Sequence, residues 1–278
     1  MMVVKRWMKR LRANALVGGL LVGLVGVMAL LSMVWTPYNP MGVALRQRLQ
    51  PPSGAYLLGT DEFGRDILSR LMAGAGTSLV VAALTVALAL VLGVVIGLVA
   101  GYFRGWLDRV LMVFNDALLA FPGILLALGV MVIVGANQWG IIVALGLAYA
   151  PTAVRVVRGS VLSLREKEYI EASEVIGNSG LRTVFAHILP NCVAPLVVLA
   201  TSMFGWVILA ESALSFLGLG VPPPAPTWGN MLASGRPYIE TAAWLGIAPG
   251  ACIALTLLGV NLLGDALRDW LDPRMEHH

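Results

Sequence analysis

Charge is what this chain has least of. Only 12% of its 278 residues are Asp, Glu, Lys or Arg, against 58% hydrophobic, and the mean hydropathy is +0.83. A soluble domain carries about 25% charged residues, so these proportions exclude an ordinary soluble fold and indicate a membrane protein. Lysine is scarcer still: Lys5, Lys9 and Lys167 are the only three, and none follows a glycine. A Walker-type phosphate loop needs Gly-Lys-Ser/Thr, because the lysine meets the β- and γ-phosphates. That route to ATP hydrolysis is therefore absent, and the chain reads as a non-enzyme with no catalytic residue assigned. His187, His277 and His278 have no ligand spacing, so no metal site is read. Cys192 and Cys252 sit far apart in apolar stretches and read as small hydrophobes, not as a disulfide or metal pair.

What is abundant is apolar length. A spanning helix needs about 20 apolar residues. Residues 15–35 qualify, and they follow the basic segment from Lys5 to Arg12. Their run is too long for a signal peptide and lacks a small-x-small cleavage site, so it is read as span one. Residues 77–103 form span two. Residues 117–154 are too long for one span and are interrupted from Gly135 to Gly140, so they read as two spans joined by a tight turn. Residues 192–210 and 241–264 supply spans five and six. The predicted fold class is an all-α polytopic membrane protein with six transmembrane helices. Its organisation is read as an N-terminal part (1–76), a five-helix core (77–266) and a tail (267–278). With the N-terminus inside, fourteen of the 19 Lys and Arg fall on the inner side. The positive-inside rule then places both termini and the segment around 165–190 in the cytoplasm.

That segment is the one long charged run between spans. Ser163 and Glu166 have capping-box spacing, and Gly177 is suited to end a helix in the left-handed conformation. Tyr169, Ala172, Ser173 and Ile176 share one helical arc, while Glu166, Lys167, Glu171 and Glu174 share most of the opposite one. Asn178 or Ser179 can cap a second helix, in which Leu181, Val184, Phe185 and Ile188 keep helical spacing until Pro190. The residues alone leave two readings of this helix–turn–helix in segment 163–190: an amphipathic loop on the membrane surface, or a docking element.

Elsewhere the patterns are local. In the external string Leu58-Gly-Thr-Asp-Glu-Phe-Gly-Arg-Asp66, Thr60 or Asp61 reads as a cap and the acids beside Arg65 as weak surface pairs. Gly93, Gly97 and Gly101 put small residues on one face of span two, which permits close helix contact. Phe121-Pro122-Gly123 is expected to kink span three, which begins near Asp116. Arg155 and Arg158 are expected to snorkel to the inner surface. Trp228 and Trp244 read as interfacial anchors. Glu211, with Ser212 and Met203, has two open readings: a translocation path or gate, or a structural carboxylate bonded to Ser212 or Ser215.

Glu171-Ala172, Gly177, Ile188 and Pro190 resemble the EAA signature of permeases in binding-protein-dependent ABC importers, departing from it at Ser173, where alanine is usual. The 58–66 string resembles the dipeptide, oligopeptide and nickel branch of that family. So do Ser215-Phe-Leu-Gly-Leu-Gly220, the stretch from Pro222 to Gly229, and residues 261–274. The resemblance spans about residues 36–274. It implies a type I importer permease fold in a bacterial inner membrane, as the second of two permease subunits. It implies coupling through Glu171, Ala172, Ser173, Gly177, Ile188 and Pro190, and an external motif at Gly59, Thr60, Asp61, Gly64, Arg65 and Asp66. The implied partners are a homologous permease, two cytoplasmic ATPase subunits holding ATP and Mg, and an external solute-binding protein. No cofactor is bound by the chain itself and no nucleic acid is implied. Di- or oligopeptides are the implied substrates, with nickel or glutathione as alternatives. The competing class is an ion-coupled secondary transporter, for which Glu211 is the single candidate residue.

Overall fold

A computed structural model describes residues 2–271. Asp272, Pro273, Arg274, His277 and His278, and with them most of the expected 267–278 tail, lie outside the described residues. The helices in chain order are α1 (Met2–Ser32), α2 (Ile67–Phe103), α3 (Gly105–Leu119), α4 (Gly123–Val134) and α5 (Gln138–Arg165). They continue with α6 (Glu168–Val175), α7 (Gly180–Thr183), α8 (Leu189–Phe216), α9 (Trp228–Gly235) and α10 (Trp244–Leu271). Among the described residues there is no strand, only an isolated bridge between Thr60 and Asp66.

Five helices are long and apolar enough to cross a membrane: α1, α2, α5, the Gly180–Phe216 run and α10. The remaining one, the expected third span, is broken. α3 and α4 meet at 95° across Ala120, Phe121 and Pro122. Proline lacks an N–H and fixes φ, so the expected kink becomes a full break. α4 has 12 residues, about 18 Å of helix, which is too short to cross alone. α2 also differs from expectation by starting at Ile67 instead of Thr77. Asp66 caps it, accepting from the Ser69 backbone N–H at 2.8 Å and from the Ser69 hydroxyl at 2.6 Å.

The α2–α5 seam is the closest packing in the bundle. A Cβ placed on Gly93, Gly97 or Gly101 would lie 2.3, 2.7 or 2.8 Å from the Cβ of Ala153, Val157 or Val161 respectively. Only hydrogen fits there, as the spacing on span two predicts. α1 lies along α10, where a Cβ on Gly18 would lie 2.8 Å from the Gly259 carbonyl oxygen.

Several side chains depart from expectation. Arg155 and Arg158 do not simply snorkel: Arg155 meets Asp116 at 2.7 Å, and Arg158 holds Asp108 with two bonds of 2.6 and 2.8 Å. Both acids are on α3, so these pairs clamp it to α5. Trp228 is not an interfacial anchor. It is fully buried, donating its indole N–H to the Leu71 carbonyl at 3.1 Å. Trp244 also turns inward, its indole N–H 3.3 Å from the Thr60 carbonyl. The main core joins α1, α2, α4, α5, α8, α9 and α10, and a second cluster sits where α6, the turn at 184–188 and the start of α8 meet α2 and α5.

Candidate functional site

The α6–α7 element is assembled differently from its sequence pattern. Ser163 does not cap it, because α5 runs on to Arg165 and absorbs that residue. Lys167 N–H bonds back to Leu164, and α6 begins at Glu168. Gly177 has φ of +87°, as its stop role requires, and open space where a Cβ would be. Its need for glycine is conformational, not steric. Ser179 caps α7, accepting from Arg182 N–H. The second helix does not end at Pro190. A π-helical turn over Val184–Ile188 leads into α8, and Pro190 sits in the first turn of α8, where its missing N–H costs little.

The expected greasy arc is reversed in part. Ile170 and Ser173 face inward and are buried, whereas Tyr169, Ala172 and Ile176 face out, Ile176 at 80% exposure. In the second half Val184 and Ile188 are buried, whereas Leu181 and Phe185 are exposed. Ile170, Val184, Ile188 and Cys192 pack with Leu98, Val157 and Val161, seating the element on α2 and α5. Polar contacts lock it. The Ser173 hydroxyl lies 3.2 Å from that of Thr183 and accepts from Asn178 Nδ2 at 3.0 Å. Arg165 donates to the Tyr102 carbonyl and stacks over the Tyr102 ring at 5.1 Å. Of the six residues singled out, Glu171, Ala172, Gly177 and Pro190 are exposed, and Ser173 and Ile188 are interior supports. The sequence pattern does not single out Ile170, Thr183 or Tyr102, and Asn178, expected as a possible cap, instead bonds to Ser173 while Ser179 caps α7. Ile170 is three residues before Ser173, the one spacing that could have found it.

Glu211 is 2% exposed, Ser212 and Met203 are likewise buried, and all three lie in protein interior within this chain. Ser215, not Ser212, donates to Glu211 Oε1 at 2.8 Å; the Ser212 hydroxyl bonds to the Ile208 carbonyl. Oε2 lies against α9, 3.0 Å from where a Cβ on Gly229 would be. Oε2 is buried and has no hydrogen-bond partner among the described residues, so the carboxylate is bonded only within α8 while packing against α9.

The 58–66 string folds into a compact knot instead of a capped surface helix. Asp61 accepts from the Phe63 and Arg65 backbone N–H groups, each at 2.9 Å, and from Arg65 Nε at 2.6 Å. Arg70 approaches the same carboxylate at 3.5 Å. Asp61, Arg65 and Arg70 are all buried, so these are not the weak surface pairs expected. Thr60 donates to the Gln47 carbonyl and accepts from Gln50 N–H, tying the knot to the preceding loop. Gly64, at φ +74°, has the Ala44 carbonyl where a side chain would be. Burial pushes the Glu62 carboxyl above the usual carboxylate range, opposed first by a hydrogen bond from its own backbone, with the Asp61 charge raising it further and Arg65 and Arg70 lowering it least.

The fold is a polytopic helical bundle with one broken span and a short helical pair held at one end. The chain belongs to the family of binding-protein-dependent transport system inner membrane components, whose model matches residues 93–277. It is an inner-membrane component of a transport system and a multi-pass membrane protein. It is 43% identical over 259 residues to a putative peptide transport system permease protein of Brucella suis, covering 93% of this chain and 87% of that one. It is 45% identical over 269 residues to the dipeptide transport system permease protein DppC of Escherichia coli K12, covering 93% and 90%. A glutathione transport system permease protein of Pectobacterium atrosepticum is 40% identical, covering 97% and 90%. The fold is similar to the crystal structure of an amino acid ABC transporter with histidines, at TM-score 0.53 and 13% identity, over 70% of this chain and 90% of that one.

Proposed function

We propose that this chain is one of two permease subunits of an ATP-driven importer of di- or oligopeptides. The relatives named for peptide and dipeptide transport support the substrate class. The α6–α7 element carries the coupling role: it presents Tyr169, Ala172, Val175, Ile176, Leu181 and Phe185 outward while its other side is bolted to α2 and α5. A rigidly seated, outward-facing apolar patch is what a lever for a separate ATPase needs. In this reading both termini and the α6–α7 end lie in the cytoplasm. Two ATPase subunits there bind ATP and Mg, and an external binding protein delivers substrate to the other end. Closure of the ATPases pushes on the patch, and α2, α5 and α8 move with it. Glutathione, itself a tripeptide, is the second reading and is supported by the Pectobacterium relative.

The test is purification from native membranes, followed by reconstitution. Recovery with a homologous permease and two Walker-bearing subunits, and ATP-dependent uptake of labelled dipeptides, are the expected results. Recovery alone, with uptake driven by an ion gradient, would overturn the proposal. Gly177→Val should abolish uptake while leaving membrane insertion intact, because a β-branched residue resists a positive φ, at a cost of about 1–2 kcal/mol.

A further inference from the structure

The knot of the 58–66 string forms one wall of a cavity that the transport mechanism does not use. Its volume is about 260 Å³, and its lining includes Glu62, Phe63, Arg65 and Arg70 on one side and Pro223 and Pro224 on the other. Two segments far apart in sequence therefore build it, at the end of the bundle opposite α6. Apolar walls with a few convergent polar groups are the usual make-up of a small-molecule site.

The polar groups are unequally satisfied. Asp61 takes both guanidinium groups, at 2.6 Å from Arg65 and 3.5 Å from Arg70. Arg65 Nη2 reaches Glu62 Oε1 only at 3.6 Å. Glu62 Oε2 is buried and, among the described residues, has no hydrogen-bond partner. Arg70 gives one terminal nitrogen to the Pro40 carbonyl at 3.1 Å, and its other carries no hydrogen bond among the described residues. Asn230 and Ser234 also line the cavity but spend their polar atoms on backbone groups. What remains is a carboxylate oxygen seeking a cationic donor, beside guanidinium N–H groups seeking an acceptor.

We propose that this cavity binds the free amino terminus of a peptide. Glu62 takes the α-ammonium, Arg65 and Arg70 take the first carbonyl oxygen, and Phe63 with Pro223 and Pro224 encloses the first side chain. A lysine tip from a docked protein would satisfy Glu62 but leave the guanidinium groups unused. A peptide amino terminus carries both partners on adjacent atoms. The assignment rests on the peptide reading above and adds a site on the permease itself, separate from the external binding protein.

The experiment uses the purified permease–ATPase assembly without its binding protein, titrated with Ala-Phe and with N-acetyl-Ala-Phe. Wild type should bind the free-amine peptide at least about tenfold tighter, because a charge-assisted bond to Glu62 is lost on acetylation. Glu62→Gln should erase that preference. Val43→Trp should erase it too, by filling the cavity from a rim position that is 61% exposed and tolerant of bulk. It decides the matter if Glu62→Gln fails to fold. Equal affinity for the two peptides, no binding, or a preference surviving both substitutions would overturn the site. So would a Glu62→Gln effect confined to docking of the binding protein. Peptide uptake by the complete transporter is measured in parallel: uptake without amino-terminal selectivity defeats this site alone, and selectivity without uptake defeats the importer reading alone.

Discussion

Ser173 holds the α6–α7 element together with one hydroxyl. It bridges to Thr183 and receives Asn178, so α6 cannot swing away from α7 without breaking both contacts. Ser173→Ala should lose about 1 kcal/mol. Ser173→Val should cost more, since it overfills the site and orphans two polar side chains. Thermal melting of the detergent-solubilised protein would rank the three. Glu62 yields a prediction in pH. Burial raises its carboxyl, so between the ordinary glutamate value and the raised one the folded chain holds a proton that the unfolded chain has lost. Stability contributed by this group is therefore present at low pH and is lost as pH rises through the raised value. Glu62→Gln should remove that component from a pH series of melting curves, without change elsewhere. Neither role was readable beforehand. Ser173 stood out as a departure from a motif, but its partners lie five and ten residues on, across a turn whose geometry decides the contact. Glu62 was one acid among three in a short string, and only folding separated the fully bonded Asp61 from a neighbour whose Oε2 has no partner among the described residues.

Among the elements, the α2–α5 seam gives the sharpest test. Gly93→Ala brings a methyl into the Ala153 methyl and should destabilise by about 1–3 kcal/mol. Adding Ala153→Gly returns the space and should recover much of that loss in a double-mutant comparison. The short helix α9 is held as tightly from another side: a Cβ on Gly229 would lie 2.7 Å from the Ser212 Cα. Gly229→Val should therefore lower folded yield, as read by monodispersity on gel filtration. The long helices were legible because apolar length and four-residue glycine spacing survive folding unchanged. The break between α3 and α4 was half legible: Pro122 marked the place, but a proline does not say whether a helix bends or turns through 95°. The π-helical turn at 184–188 was not legible, since the same apolar spacing reads as an uninterrupted α-helix. Trp228 was misplaced because an external loop was assumed to stay at the surface, whereas its capping box starts a helix that carries the indole into the core.

At the scale of the whole molecule, the arginine count and the fold make a joint prediction about sidedness. A membrane-impermeant thiol reagent added outside intact cells should label Arg46→Cys and spare Ile176→Cys; the reverse pattern would invert the proposed topology. Both positions are exposed in the isolated chain, and Ile176→Cys should become reactive once the membrane is permeabilised and the ATPase subunits are stripped away, which separates the membrane from their cover. Cys192 is buried and Cys252 half-buried, which limits background. The outward aliphatic and aromatic side chains of α6 and α7 bear on the life of the protein before assembly. A subunit made in excess of its partners carries that adhesive patch uncovered, where chaperones and proteases recognise such surfaces and neighbouring copies can stick to one another. If the ATPase subunits cover this patch as proposed, balanced synthesis of the subunits follows from the surface chemistry, and production of the permease by itself should yield a short-lived or aggregating species that co-production with its partners rescues.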